Sequence, residues 1–431
     1  VNTVTRAISI TLISLALGAC VTERTPSRTA GGVGGSPPAP RPPSNREPVP
    51  MPTGPIARPA LEARTVNART LVSIQPIGAV PYDGMVLPIV SPDGRWLATQ
   101  TGDPPGWPTL LAALGAPPSN RTRVAVYDLS TSPPSAVRPR EQLPGGLLLG
   151  RGADAQGFLV ESPQADGTRR IGRVAWTDAR VQWLTAADAV HAFAAFDAHG
   201  RVLCSRRATD EAQFKVAIAG VPMDLTPGAS ALMPIYDAAA GLYAMFVEGP
   251  MGLEVQLRSP SAQAGGATED ALHLIARRTL ADDGGAPTAY QAAEPMRGAI
   301  ATMPGRGAAP GVLLFHPGAR RMVIVDPTTA ELIPLARNSI AGCWAPDAGG
   351  WAVLVTTPEG LVHQRIERDE ATGLWQALPV ARMLGEAWVP RATMDPEHPF
   401  ILIGPDKRRP TRVMIASLRF ADESEADFGA P

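Results

Sequence analysis

Lysine is nearly missing from this chain. Lys215 and Lys407 are the two that occur, and arginine supplies the rest of the 39 basic residues, a bias of the kind a GC-rich genome imposes. Against 40 acidic residues the formal net charge is −1. No basic surplus exists to release counterions from a phosphate backbone, so nucleic acid is excluded as a partner. Aromatic residues make up 5%. Aliphatic side chains must therefore build the core, and a sugar- or peptidoglycan-binding platform of exposed rings is disfavoured.

Chemistry-bearing motifs are also scarce. The six histidines are His191, His199, His273, His316, His363 and His398. No two stand four residues apart, and no HExxH or Cys–His cluster occurs, so a zinc site would need ligands from distant segments. Neither a Gly-x-Ser-x-Gly elbow nor a glycine-rich phosphate loop followed by lysine is present. The glycines of residues 31–35 lie in a low-complexity stretch. Asp282-Asp283-Gly284 reads as a solvated turn, because no Asp-x-Asp-x-Asp calcium loop surrounds it. No cofactor is expected.

Glycine and proline, by contrast, number 42 and 46. With 45% hydrophobic residues, that density of turn formers points to many short strands around a full core.

An uncharged stretch, Ala7 to Ala19, follows Arg6. It is too short to span a bilayer as a helix, which takes about 20 residues. One positive charge, a short apolar stretch and small residues before a cut site describe a signal peptide. The run ends Leu17-Gly18-Ala19-Cys20, which resembles the lipobox of bacterial lipoproteins. The resemblance implies cleavage before Cys20 and acylation of its thiol. Two or three acyl chains, at about 0.8 kcal/mol per buried CH₂, give stable anchoring. Val21 and Thr22 follow, without the Asp that marks inner-membrane retention in proteobacteria. The periplasmic face of the outer membrane is the expected location.

Residues 21–64 hold eleven prolines among Gly, Ser, Thr, Ala and Arg. Such a segment buries too little apolar surface to offset its ordering entropy. It reads as a partly polyproline leash between lipid and folded domain. The expected organisation is a signal peptide over 1–19, lipidated Cys20 and linker over 20–64, a folded domain over 65–420, and an acidic disordered tail over 421–431.

The folded part repeats. Ser91-Pro92-Asp93-Gly94-Arg95-Trp96 is a tight Asp-Gly turn leading into a strand. Asp154, Asp197, Asp237, Asp347 and Asp395 open similar turns, and a degenerate copy sits at Gly305. The spacing of about 40–50 residues, with two longer gaps, matches propeller blades. Alternating third strands follow at Arg123–Asp128, Phe214–Ile218, Leu253–Leu257 and Arg321–Asp326. Ser91–Trp96 resembles the repeat of TolB-like and WD-type propellers. The expected fold is all-β, a seven-bladed propeller of four-stranded blades. Residues 69–77 would supply the outer strand of blade 7 and close the ring. Cys204 and Cys343 then fall in blades 3 and 6, too far apart for a disulfide, and pack as small apolar residues.

In a propeller, the loops joining strands two and three share a face with the inter-blade connections. Two features are expected there. One is the blade-1 insertion 102–120, with Trp107, Leu110, Leu111 and Leu114. The other is the connection 281–297, with Tyr290 and Met296. Around the channel mouth the same register places Tyr82, Asp83, Arg140, His191, Arg297, Arg337, Asn338 and Glu386. These suit a polar ligand or peptide. The favoured reading is a membrane-anchored, non-catalytic module that recognises an envelope protein or peptide. The competing reading is a propeller enzyme, a hydrolase or lyase acting on lactones or sugars at the channel mouth.

Overall fold

The computed structural model describes residues 63–65, 71–82, 87–101, 122–260, 272–280, 287–296, 309–347, 350–384, 387–395, 398–406, 409 and 411–421. Strands dominate, and they pair antiparallel with their sequence neighbours, as short runs broken by Asp- and Gly-bearing turns dictate.

Seven blades follow one another along the chain. Blade 1 comprises Ile89–Val90, Trp96–Thr101, Arg123–Asp128 and Ser135–Ala136. Blade 2 holds Leu148–Ala153, Gly157–Pro163, Arg169–Ala175 and Val181–Trp183, and blade 3 holds Ala189–Phe196, Val202–Ala208, Lys215–Ile218 and Val221–Met223. A single parallel bridge, Val190 to Arg169, joins these two sheets. Blade 4 is Ser230–Asp237, Leu242–Gly249, Gly252–Pro260 and Leu272–Thr279. Three strands of blade 5 are described, Val312–His316, Arg321–Val325 and Leu332–Pro334. Blade 6 contains Ala341–Asp347, Gly350–Thr357, Gly360–Arg368 and Trp375–Leu384.

Blade 7 closes the ring. Val389–Ala392, Phe400–Pro405 and Arg412–Ala421 are joined by Leu71–Pro81 as the outer strand. The two ends of the domain thus share one sheet, which leaves no open end in the series of blades. Tyr82 N–H donates to Thr411 O at 2.8 Å just beyond this strand pair. Residues 63–65 add a fifth strand to blade 6, antiparallel to Trp375–Leu384. The expected linker boundary at residue 64 therefore cuts through a strand.

The turns hold because their aspartates bond the local backbone. Asp197 Oδ1 accepts from the N–H groups of His199 at 2.9 Å and Arg201 at 2.7 Å. Asp93 accepts from Arg95 N–H at 3.1 Å, and Gly94 supplies φ of 72° at the tip, a conformation that costs glycine nothing. The core lies between the blades. Ile89, Val126, Leu149, Phe158, Val160 and Trp176 pack blades 1 and 2 together, and Val80, Val90, Leu97, Ile401 and Ile415 pack blade 7 on blade 1. Met394 N–H donates to Pro92 O at 2.6 Å across that last junction.

Asp237 does more than form a turn. Its carboxylate is 1% exposed. Oδ1 accepts from Ala239 and Ala240 N–H at 3.0 and 3.2 Å, and Oδ2 accepts from Leu313 N–H at 3.1 Å and Trp344 Nε1–H at 3.0 Å. One side chain thereby ties blades 4, 5 and 6. Burial pushes its carboxyl above the ordinary 3.8, and the four donors pull it back. Both Cys204 and Cys343 are free and buried.

Candidate functional site

The two ends of the propeller differ. The turn face carries the Asp-Gly turns and the third-to-fourth-strand turns. The loop face carries the second-to-third-strand loops and the connections between blades.

Buried arginines tie the inner strands of the ring together. Arg151, on the inner strand of blade 2, is 3% exposed. Its guanidinium donates to the carbonyls of Phe193, Pro234 (3.1 Å) and Met233 (3.5 Å) on the inner strands of blades 3 and 4. Phe193 and Met233 adopt φ of 57° and 51°, at points where the strand register shifts. These bulges supply the acceptors. Gly150 and Gly152 flank Arg151, and a Cβ on Gly150 would stand 2.9 Å from Leu159 Cβ. Arg391, on the inner strand of blade 7, is likewise buried and bonds Pro88 O at 3.1 Å.

Toward the loop face, blades 2 to 4 build one side of the mouth. The ends of two hairpin strands bring Glu161 and Arg169 together at 2.8 Å, both almost fully buried. Glu161 Oε1 also accepts from Ala194 N–H at 3.2 Å, so the pair is fixed to blade 3. His191 Nδ1 lies 3.1 Å from Arg169 O. A carbonyl only accepts, so Nδ1 carries the proton and the neutral ring keeps its lone pair on Nε2. Burial lowers the His191 pKa below 6.5, with Asp188 opposing and Arg206 assisting. At 1% exposure, His191 is a prop of the mouth and does not reach solvent.

Tyr290 closes the arrangement from the blade 4–5 connection. Its ring meets Phe193 edge-on, with centroids 5.6 Å apart. Its segment is pinned by Ala289 N–H donating to Glu248 Oε1 at 2.7 Å. Burial raises the phenol pKa, Glu248 raises it further, and Arg207 and Arg169 act against them. Arg206 pairs with Asp188 at 3.1 Å, and Arg207 stacks on Phe214. The rim thus sets the half-buried Tyr290 ring and the buried Phe193 and Phe214 among guanidinium groups. Such a surface can hold a polar or peptidic ligand by stacking and directed hydrogen bonds.

Where blade 5 connects to blade 6, Arg337 and Asn338 border a concavity. It has a volume of about 300 Å³ and is also lined by Ala319 and Arg321. Tyr82 sits on the loop face but is half-buried against the blade 7–blade 1 core. Arg140 is not at the mouth. Its N–H donates to Asp178 O and its guanidinium lies 3.6 Å from the Asp178 carboxylate, beside the third-to-fourth-strand turn of blade 2. The short outer strand Ser135–Ala136 leaves the connection to blade 2 to start near the turn face, which carries Arg140 there. Met296 is buried, and its sulfur accepts from Phe315 N–H at 3.1 Å. Cys20, Asp83, Trp107, Leu110, Leu111, Leu114, Arg297 and Glu386 lie outside the described residues.

Arg151, Glu161, Arg169 and Arg321 were missed from sequence. Gly150-Arg151-Gly152 carried a usable signal, since glycines on both sides of a strand arginine allow close backbone approach. Among the described residues no group of three or more His, Cys, Asp or Glu could hold a metal ion, and no helix is long and apolar enough to cross a membrane.

No protein-family model and no curated relative matches the chain. Solved structures of similar shape are distant. TolB from Acinetobacter baumannii is 10% identical with a TM-score of 0.32, over 70% of this chain and 57% of that one. The β-propeller domain of Swd1 from Myceliophteria thermophila is 13% identical with a TM-score of 0.39, over 83% of this chain and 99% of that domain. Oligopeptidase B from Leishmania major is 8% identical with a TM-score of 0.36, over 70% and 45%. The match spans little more than half of TolB and less than half of the oligopeptidase. The fold rests on the strand pairing itself: this chain is a seven-bladed β-propeller.

Proposed function

We propose that this chain is an extracytoplasmic recognition module. Lipid on Cys20 holds it at a membrane, the proline-rich segment 21–64 spaces it from that membrane, and its loop face binds an envelope protein or peptide without turning it over. The Leu17–Cys20 lipobox and the composition of the leash support the anchoring. The periplasmic face of the outer membrane follows from Val21 and Thr22, if the proteobacterial sorting rule applies.

One observation carries the non-catalytic reading. The guanidinium of Arg151, on an inner strand, is buried and bonded to backbone carbonyls of two further blades. The ionisable groups just above it, Glu161, Arg169 and His191, are committed to one another and to the backbone. A propeller enzyme working at its mouth needs groups free to move protons or to meet substrate. Here those positions brace the ring, and recognition falls to the rim and its loops.

The test places a photo-reactive amino acid at Tyr82 or Arg337 on the loop face, and at Arg95 or Gln156 on the turn face, in cells producing the full chain. The expected result is a cross-link to one defined envelope protein from the loop face alone, with membrane recovery that is lost in C20S. Cross-links from the turn face alone would overturn the assignment. Turnover of a panel of lactones and sugar esters, abolished by Tyr290→Phe, would replace it with the enzyme reading.

A further inference from the structure

The loop-face cavity of blade 5 has unusual electrostatics for a chain with a net charge of −1. It is lined by Ala319 and Arg321 from the second-to-third-strand turn and by Arg337 and Asn338 from the connection to blade 6. Arg320 adjoins it in sequence. None of Arg320, Arg321 and Arg337 forms an ion pair among the described residues, whereas Arg95, Arg140, Arg169, Arg173, Arg201, Arg206 and Arg365 all do. The Nε of Arg321 is buried and donates to nothing. Positive charge and donor capacity have been collected here without an internal acceptor. Other arginines, such as Arg151, Arg258 and Arg391, are held by backbone carbonyls instead.

The backbone at this spot is held in an uncommon shape. Arg320 and Asn338 have φ of 48° and 56°, the left-handed region that non-glycine residues seldom enter. Both lie in the two loops that frame the cavity, where such conformations gather when a site must be shaped.

We propose that this cavity is a carboxylate-binding site, and that the partner of the loop face presents an acidic peptide segment to Arg321 and Arg337. A guanidinium fork matches a carboxylate through two parallel hydrogen bonds. Two forks satisfy the lone pairs of one carboxylate. The Asn338 carboxamide adds a donor for that group and an acceptor for a neighbouring peptide N–H. A phosphate dianion asks for more donors than this, normally including a run of free backbone N–H groups. The Ala319 N–H is already given to His316 Nδ1 at 3.0 Å, which takes one such donor from the turn. The volume of about 300 Å³ stands at the small end of ligand sites and fits a side chain or chain terminus. The proposal rests on the loop face being the docking face and names what docks there.

The experiment measures fluorescence anisotropy of a fluorescein-labelled hexaglutamate peptide against the full chain in detergent. Hexaglutamine is the neutral control, and acetate and inorganic phosphate are competitors. The expected result is saturable hexaglutamate binding that weakens with salt and is displaced by acetate. R321Q/R337Q should weaken it at least tenfold and R321K/R337K by less, with R95Q unchanged. Because Arg321 and Arg337 make no ion pairs, the melting temperature of the double variant should stay at the wild-type value. Equal binding by wild type and R321Q/R337Q would overturn the proposal. So would phosphate binding with no gain from the peptide, which would make this a free-oxyanion site. If hexaglutamate does not bind but loop-face cross-linking at Tyr82 persists, the cavity assignment falls and the docking face stands.

Discussion

Replacing Asp237 with asparagine tests whether a single buried carboxylate ties three blades. Its two oxygens each take two donors, Ala239 and Ala240 N–H on one and Leu313 N–H with Trp344 Nε1–H on the other. Asparagine has one acceptor oxygen. Whichever way the amide turns, its NH₂ faces two N–H donors. Leaving a buried donor unpaired costs about 1–3 kcal/mol, so two cost about 2–6 kcal/mol. Removing a buried charge returns part of this, because desolvation is what raises the carboxyl above 3.8. The net loss should be about 2–4 kcal/mol. At about 2 °C per kcal/mol for a domain of this size, calorimetry should show a melting temperature lower by about 4–8 °C. D237A, which orphans all four donors, should cost more than D237N. W344F removes one of those donors, so its cost and that of D237N should be less than additive. A D237N protein within about 0.5 kcal/mol of wild type, below the span of one orphaned donor, would refute the reasoning.

Other perturbations follow from the mouth and core. E161A removes the carboxylate that pairs with the buried Arg169 guanidinium and should cost about 3–5 kcal/mol in urea unfolding, whereas E161A/R169M should cost less than E161A alone. His191 has a folded pKa below 6.5 through burial, with the Arg169 carbonyl, Asp188 and Arg206 around it. The unfolded chain therefore binds the proton first. Stability should fall as pH drops below 6.5 and level off below the folded pKa, and H191Q should flatten that slope in pH-dependent melts. Burial pushes the Cys343 thiol up to about 12 and the Cys204 thiol further. Neither should react with iodoacetamide at pH 8 in the folded protein, and both should react once urea unfolds it.

Much of the ring was legible because its signals are local. The Asp93, Asp197 and Asp237 turns bond their own backbone within four residues, so side chain and geometry sit in one short window. The alternation in Arg123–Asp128 and Arg321–Val325 marks third strands for the same reason. Even closure could be read, since an apolar run before the first blade had one vacant edge to fill, and Leu71–Pro81 fills it. The short outer strands Val181–Trp183 and Val221–Met223 were not legible, because three exposed or half-exposed residues carry no period. The site was less legible still. Arg151 depends on carbonyls from two other blades, Arg169 and His191 meet across a blade boundary, and Arg321 and Arg337 reach one cavity from two separate loops. Arg140 was misplaced because a two-residue outer strand starts its connection near the other face.

The ring itself defines which loops share a face, so its closure is the most direct thing to measure. Ala79 stands opposite Met414, and Val80 opposite Val413, across the strands that join the two ends of the domain. Adjacent pairs in an antiparallel ladder alternate between wide and close spacing, so one of A79C/M414C and V80C/V413C, in a C20S background, should oxidise to a disulfide. Proteolysis between the ends should then leave the terminal fragments linked until reductant is added. If both pairs stay reduced in folded protein and label freely with maleimide, the ends do not meet and the seven-bladed ring is wrong.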